Sequence, residues 1–109
     1  MAERISCISP VDGSVYAERP VAKKKDVVAA FAAARAAQDQ WKRLPLGERA
    51  AYCSAAVDAM LAMKDEIVPE LAWQMGRPVR YGAMEIRRGF AERARYMLDI
   101  APRVLADVA

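Results

Sequence analysis

The pattern of hydrophobic residues divides the chain into two parts, and the pattern in the first part predicts β-structure. The early residues carry β-branched side chains on both sides of Asp12-Gly13, a dipeptide that suits a tight turn. We predict a β-hairpin over residues 1–22, with arms near residues 5–8 and 14–21. An isolated two-stranded hairpin is only marginally stable in water, so we expect this one to lie against another part of the chain.

In the second part of the chain, the apolar residues have the spacing of helices. Within residues 26–102, apolar residues recur at intervals of three, four or seven, which predicts about four helices. The apolar face of the first helix consists of Val27, Phe31, Ala34 and Trp41.

The second helix begins at Pro45, because the N–H that proline lacks has no helical partner at that position. One stripe along this helix is apolar and contains Leu46, Ala50, Cys53, Val57, Met60 and Leu61. The position of Cys53 on the stripe predicts that its thiol points into a core and not into a reaction centre.

The third helix is bounded by recognisable start and stop signals. The chain restarts around residues 63–65, with Asp65 as the predicted cap and Pro69 early enough to be tolerated or to bend the helix. Gly76 is predicted to end the helix at positive φ, where the last carbonyls can be satisfied. Pro78 follows because proline cannot extend a helix.

The fourth helix is predicted over about residues 79–101, with Pro102 ending or kinking it. Gly82 and Gly89 lie inside, and each weakens a helix by about 1 kcal/mol relative to alanine, so packing must offset the loss. Contact on more than one side is indicated by apolar residues around much of the circumference, namely Tyr81, Met84, Ile86, Phe90, Ala94, Met97 and Leu98. The predicted fold class is therefore mostly α after an N-terminal β-hairpin, in a single unit over residues 1–109.

Composition agrees with one soluble domain. A chain of 109 residues is long enough for a modest core and too short for two domains. Hydrophobic residues make up 55% and charged residues 28%, which excludes disorder, and the apolar runs are too short to cross a bilayer. The amino terminus lacks the pattern of a secretory signal, so we expect a cytoplasmic protein in which Cys7 and Cys53 are reduced.

The sequence offers few catalytic groups. Without histidine, Ser-His-Asp and Cys-His arrangements are excluded, and no cluster has the ligand spacing of a zinc or iron site. The five glycines are isolated and form no phosphate-binding loop. Several carboxylates are expected to be solvated or paired with neighbours, namely Asp58, Asp65, Glu66 and Glu70. We predict no catalytic, cofactor-binding or metal-binding residue.

Arginines form the densest charged cluster, in a chain whose formal net charge is +3. On a helix Arg88 and Arg95 share a face, which could follow a phosphate backbone. Alternatively, Glu85 and Glu92 pair with these arginines at spacings of three or four. We expect no exposed aromatic residues interleaved with the cluster for base stacking, so we predict no nucleic-acid partner. The cluster comprises Arg77, Arg80, Arg87, Arg88, Arg93, Arg95 and Arg103.

Several colinear segments are similar to those of a known enzyme family: Ser9-Pro10-Val11-Asp12-Gly13-Ser14, the helix ending at Trp41, Pro45-Leu46-Gly47-Glu48-Arg49, and Gln74-Met75-Gly76-Arg77-Pro78. In this order and spacing they resemble the amino-terminal part of NAD(P)-dependent aldehyde dehydrogenases. That family's Asn-Pro-x-Thr-Gly-Glu pattern has three positions changed here. Its Glu-x-Gly-Lys-Pro pattern has Gln in place of Glu and Arg in place of Lys.

The resemblance implies that these residues are the leading part of an α/β cofactor domain. In the family, that domain is joined to a catalytic domain and an oligomerisation arm, and subunits assemble as dimers or tetramers. The family oxidises aldehydes to acids with NAD or NADP, using a cysteine nucleophile and a glutamate base. Those residues lie downstream in the family, and neither Cys7 nor Cys53 matches the nucleophile. We therefore expect this chain alone to be inactive.

The resemblance also implies a cation site found in some members. Main-chain oxygens before the hairpin proline and an acidic side chain after the Gly-Lys-Pro segment would correspond here to Cys7, Ile8 and Glu85. Glu85 pairs equally well with Arg88.

A small basic helical module that binds nucleic acid or an acidic protein partner is the alternative function. As an enzyme fragment, the chain should instead expose apolar faces and self-associate, because a hairpin and four short helices cannot easily bury all of its bulky side chains. The bulkiest of these are Phe31, Trp41, Trp73, Tyr81 and Phe90.

Overall fold

The computed structural model describes residues 3–107 of the chain. Two antiparallel strands, β1 (Arg4–Ile8) and β2 (Val15–Pro20), precede a helical remainder. The helices are α1 (Lys24–Trp41), α2 (Leu46–Ala62), α3 (Lys64–Met75) and α4 (Val79–Met84), which continues without a break into a π-helical segment (Glu85–Glu92) and α5 (Arg93–Val104). The prediction of a hairpin followed by four helices is confirmed, with α4, the π-helical segment and α5 forming the fourth.

The hairpin turns through a longer loop than a two-residue connection. The N–H of Ser9 donates to the carbonyl of Ser14 at 2.8 Å, and the N–H of Gly13 donates to the carbonyl of Ser9 at 2.9 Å. Gly13 has φ of +76°, so the predicted turn does use its conformational freedom. Hydrogen bonds from the Ser14 side chain and backbone lower the pKa of Asp12 and hold this loop together.

The ends of two helices differ from the prediction. The carboxylate of Asp26 accepts the N–H of Lys23 at 3.3 Å, so α1 begins two residues before Asp26. Asp65 does not cap α3, because Met63 alone separates α2 from α3 and Asp65 already lies in the first helical turn. There its negative charge still interacts favourably with the helix dipole. Pro69 is tolerated inside α3, as predicted.

Pro102 does not end the fourth helix. α5 continues to Val104, and the N–H of Leu105 donates to the carbonyl of Ala101 at 2.9 Å. A proline this close to a helix end removes one donor but leaves the following hydrogen bond intact, so two more residues remain helical.

A small apolar core lies between α2, α3 and the fourth helix, with Val57, Val68, Ile86 and Ala91 buried. The packing expected at Gly82 is with Val68: a Cβ atom on Gly82 would lie 2.8 Å from Val68 Cγ1. Gly89, by contrast, faces open space. Of the two glycines, Gly82 is therefore the one that allows close helix packing.

Much of the chain lies outside this core. No residue of α1 is buried, although Trp41 at its end contacts Tyr52 of α2 at 5.8 Å between ring centroids. The prediction that Cys53 points into a core is wrong, because nothing among residues 3–107 covers its side of α2 and it is exposed. The accessible surface is 8967 Å², whereas a compact chain of this size exposes about 6,000 Å².

Among residues 3–107, no helix is both long and apolar enough to cross a membrane.

Candidate functional site: the junction between the hairpin and the third helix

The C-terminal end of α3 is closed by a residue from the hairpin loop. Gly76 has φ of +69°, and its N–H donates to the carbonyl of Ala72 at 2.9 Å, as expected for a helix stop. The last carbonyls of a helix lack partners inside the helix. Ser9 supplies one, because its Oγ donates to the carbonyl of Trp73 at 2.7 Å. Ser9 is 1% exposed, and its Oγ also accepts the N–H of Val11 at 3.2 Å.

The helix stop and the hairpin also touch directly. A Cβ atom on Gly76 would lie 3.2 Å from Cγ of Pro10. Gly76 is therefore required for two reasons: it adopts a positive φ, and it leaves room for the proline of the hairpin loop. The predicted need of the hairpin for a partner surface is met at this end of α3.

Aromatic contact extends the junction along β2. The rings of Tyr16 and Trp73 are stacked, with centroids 6.4 Å apart and an interplanar angle of 7°. A hydrogen bond with Glu70 raises the pKa of Tyr16 above its ordinary value, and partial desolvation adds to the shift. Gln74 Nε2 donates to Glu70 Oε2 at 2.8 Å, so the glutamine that replaces the family's glutamate stays within this network.

Tyr16 should titrate above the ordinary pKa of a tyrosine when its ionisation is followed by absorbance at 295 nm. The raised pKa means that the junction favours the neutral phenol. Its contribution to stability is therefore complete below the unfolded pKa and is lost as the pH rises through the folded pKa.

Two variants check the assignment of the late-titrating group. Tyr16→Phe should remove that component, whereas Tyr96→Phe, on exposed α5, should leave it in place. A titration curve unaltered by Glu70→Gln would show that Glu70 is not the cause.

Acidic partners of the arginines differ from those predicted by helical spacing. Glu85 Oε1 pairs with Arg77 Nη1 at 2.9 Å, and Asp58 Oδ1 pairs with Arg95 Nη2 at 2.6 Å. The predicted pairing of Glu85 and Glu92 with Arg88 is wrong, since ion pairs to Arg88 are absent among residues 3–107. Because the turn of the π-helical segment is wider, residues that are three or four positions apart in the sequence no longer lie on the same face.

The other side chains considered for catalysis or metal binding do not lie together in one site. Cys7 is half-buried in β1, Cys53 is exposed on α2, and both thiols are free. Asp65 pairs with Lys64 at 2.8 Å. In the part of the chain that the structure describes, no group of three or more His, Cys, Asp or Glu residues could hold a metal ion. The implied cation set of Cys7, Ile8 and Glu85 gains no support, because Glu85 is already paired with Arg77.

The hairpin and the helix stop follow from local sequence signals, but the groups that join them do not. Ser9 gave the one available signal, a hydroxyl residue directly before the loop proline, where it can bond to backbone groups. Nothing in the spacing of Tyr16 and Trp73 indicates that their rings meet, because 57 residues separate them.

Comparison with known proteins adds a family match. The model of the aldehyde dehydrogenase family matches residues 1–108. A vanillin dehydrogenase of Corynebacterium glutamicum is 37% identical over 86 residues, which cover 78% of this chain and 18% of that protein. A malonate-semialdehyde dehydrogenase of Shouchella clausii is 26% identical over 81 residues, covering 74% of this chain and 17% of the relative.

A mitochondrial succinate-semialdehyde dehydrogenase of Arabidopsis thaliana is 27% identical over 100 residues, covering 92% of this chain and 19% of that protein. The chain thus spans less than a fifth of the length of these relatives. No solved structure gives a significant match.

Proposed function

This chain belongs to the aldehyde dehydrogenase family, and we propose that it is the N-terminal portion of a subunit that oxidises an aldehyde to a carboxylic acid with NAD or NADP. The observation that carries the proposal is a family match over residues 1–108 in a chain that spans less than a fifth of its relatives. The colinear segments support it from the sequence. The match leaves the alternative, a small basic binding module, without support.

Within such a subunit the chain would act by packing. Large apolar side chains are exposed on the hairpin and on every helix, among them Ile5, Phe31, Trp73, Tyr81 and Met97. Arg49 Nε is buried without a hydrogen-bond partner among the described residues, which fits a side chain whose partner lies in another part of the subunit. We propose that downstream segments cover these surfaces.

The residues of this chain do not fit the cofactor. A dinucleotide is normally held by a glycine-rich turn between a parallel strand and a helix, and here the sheet is a two-stranded antiparallel hairpin. Neither Cys7 nor Cys53 has a neighbouring imidazole, since the chain contains no histidine. We therefore assign no catalytic step to these residues and propose that the chain alone is inactive.

The substrate is proposed only as a class. The names of the three relatives refer to vanillin, malonate semialdehyde and succinate semialdehyde, which share an aldehyde group and little else. We propose a dimeric or tetrameric parent enzyme in the cytoplasm, in line with the family.

A chimera tests the proposal. Residues 1–108 would replace the matching segment of the Corynebacterium vanillin dehydrogenase, and oxidation of vanillin would be followed as NADH or NADPH formation at 340 nm. We expect the chimera to retain activity, whereas the relative without its N-terminal segment and the 109-residue chain alone should have none.

Two results would contradict the proposal. One is a chimera that folds, as judged by circular dichroism and gel filtration, but has no activity. The other is turnover by the isolated chain that Cys53→Ser abolishes, because the nucleophile would then lie in this segment.

A further inference from the structure

The fourth helix contains a π-helical segment, Glu85–Glu92, between α4 and α5. In an α-helix each N–H bonds to the carbonyl four residues earlier, whereas in a π-helix the bond reaches five residues back, so each turn holds about one more residue. Such segments are rare and mostly span a single turn inside an α-helix. The segment is therefore a specific feature of this helix, and the burial of its side chains reveals its effect.

Burial follows a different spacing within the segment. Gly82 and Ile86, four residues apart, are buried, and the next buried residue is Ala91, five residues after Ile86. In a regular α-helix Ala91 would lie about 140° around the axis from Ile86, whereas Phe90 would lie only about 40° away. Phe90 is nevertheless 39% exposed, and Ala91 is 4% exposed. The small side chain thus takes the core position that α-helical spacing would give to the phenylalanine.

The α-helical spacing returns after the segment. Ala94, Leu98 and Ala101 are half-buried and follow Ala91 at intervals of three, four and three. The core row contains one interval of five, which falls inside the π-helical segment. We use this name for the line that consists of Gly82, Ile86, Ala91, Ala94, Leu98 and Ala101.

The two halves of the core row face different helices. In the first half, Gly82 meets α3, where a Cβ atom on Gly82 would lie 2.8 Å from Val68 Cγ1. In the second half, Leu98 lines a cleft together with Ala50 and Ser54 of α2. Without the extra residue in the π-helical turn, the second half would be turned by about 100° relative to the first. The fourth helix could then not present the core row to α2 and α3 at once.

We propose that the π-helical segment is a register device, in which one extra residue lets a single continuous helix pack against α3 with its first half and against α2 with its second. The device also turns Phe90 to the edge of the core, where it lines a cleft of about 500 Å³ with Met60 and Leu71. Every contact that defines the device lies within residues 3–107, so the device does not depend on downstream segments of the subunit.

Deleting Gly89 tests the device. This residue lies inside the segment, and a Cβ atom on it would meet nothing within 4 Å, so its removal breaks no packing. The deletion places Ala91 four residues after Ile86, and an unbroken α-helix then keeps the core row on one line. Thermal unfolding followed by circular dichroism at 222 nm should give a midpoint no more than about 4 °C below that of the unaltered chain.

Deleting Tyr96 is the matched control. Tyr96 is also exposed in the fourth helix, but it lies in α5, where the helix is regular. Its deletion should turn Leu98 and Ala101 by about 100° out of the core row. The midpoint should therefore fall by about 8 °C or more. Equal changes for the two deletions, measured at one protein concentration, would overturn the proposal.

Nuclear magnetic resonance tests the hydrogen bonds themselves and does not require either variant to unfold cooperatively. In the unaltered chain, scalar couplings across hydrogen bonds should join N–H groups of the segment to carbonyls five residues back. After deletion of Gly89 they should reach four residues back, whereas Gly89→Ala keeps the chain length and should keep the longer reach. Couplings that reach four residues back in the unaltered chain, or still five after the deletion, would contradict the register device.

Discussion

Replacing Gly82 by alanine is expected to destabilise the helical core by roughly 1–2 kcal/mol net. The added Cβ atom would lie 2.8 Å from Cγ1 and 3.3 Å from Cβ of Val68. Because valine is branched at Cβ, its side chain cannot rotate away without leaving its preferred rotamer. This overlap should outweigh the gain of about 1 kcal/mol that alanine brings to a helix interior. Urea unfolding followed by circular dichroism at 222 nm measures the change.

Gly89→Ala is the matched control. Gly89 also lies in the fourth helix, but a Cβ atom there meets nothing within 4 Å. Only the helix propensity changes, so this variant should be stabilised by up to about 1 kcal/mol. Both unfolding curves should be recorded at one protein concentration, because self-association shifts the midpoint. Equal shifts of the same sign in the two variants would mean that α3 and α4 do not pack as closely as described.

Ser9→Ala is expected to lower the free energy of unfolding by about 1–3 kcal/mol, the cost of leaving a buried polar group without its partner. Ser9 is 1% exposed, and alanine keeps its volume while removing the donor to the Trp73 carbonyl and the acceptor of the Val11 N–H. The loss should be concentrated at the junction between the hairpin and α3. Relative to the unsubstituted chain, the variant should show a larger increase in the rate of hydrogen exchange in the strands than in the core helices.

Ser6→Ala provides the comparison for this variant. The Ser6 hydroxyl also forms a hydrogen bond, to Glu18 at 3.0 Å, but both groups are exposed to water. Its removal should cost less than about 0.5 kcal/mol, as is usual for surface substitutions. If Ser9→Ala were as mild as Ser6→Ala, the hydroxyl of Ser9 would not be the link that holds the hairpin to α3.

Local rules predicted the elements that depend on neighbouring residues. Gly76 and Pro78 stop α3 because of their own backbone limits, and Gly13 turns the hairpin for the same reason. At Gly82 the sequence required a compensating contact, and the structure supplies it through Val68. The helix stop and the turn need no knowledge of the rest of the chain, whereas the identity of the partner of Gly82 does.

Predictions failed where an element depends on a distant partner or on exact helical geometry. The acidic partners of Arg77 and Arg95 could not be read from spacing, because the π-helical segment shifts the register and Asp58 belongs to another helix. The apolar stripe of α2 correctly contained buried Val57, but periodicity could not show that Cys53 has no neighbouring element to cover it. Periodicity indicates which face is apolar and not what lies against it.

The Ser9–Trp73 hydrogen bond joins residues that are 64 positions apart, which has a consequence for synthesis. The hairpin can pair its own strands early, but its docking site does not exist until α3 has left the ribosome. At about 5–20 residues per second, translating that interval takes roughly 3–13 s. We expect the two strands to remain undocked during this time, with the side chains that later meet α3 still exposed to water.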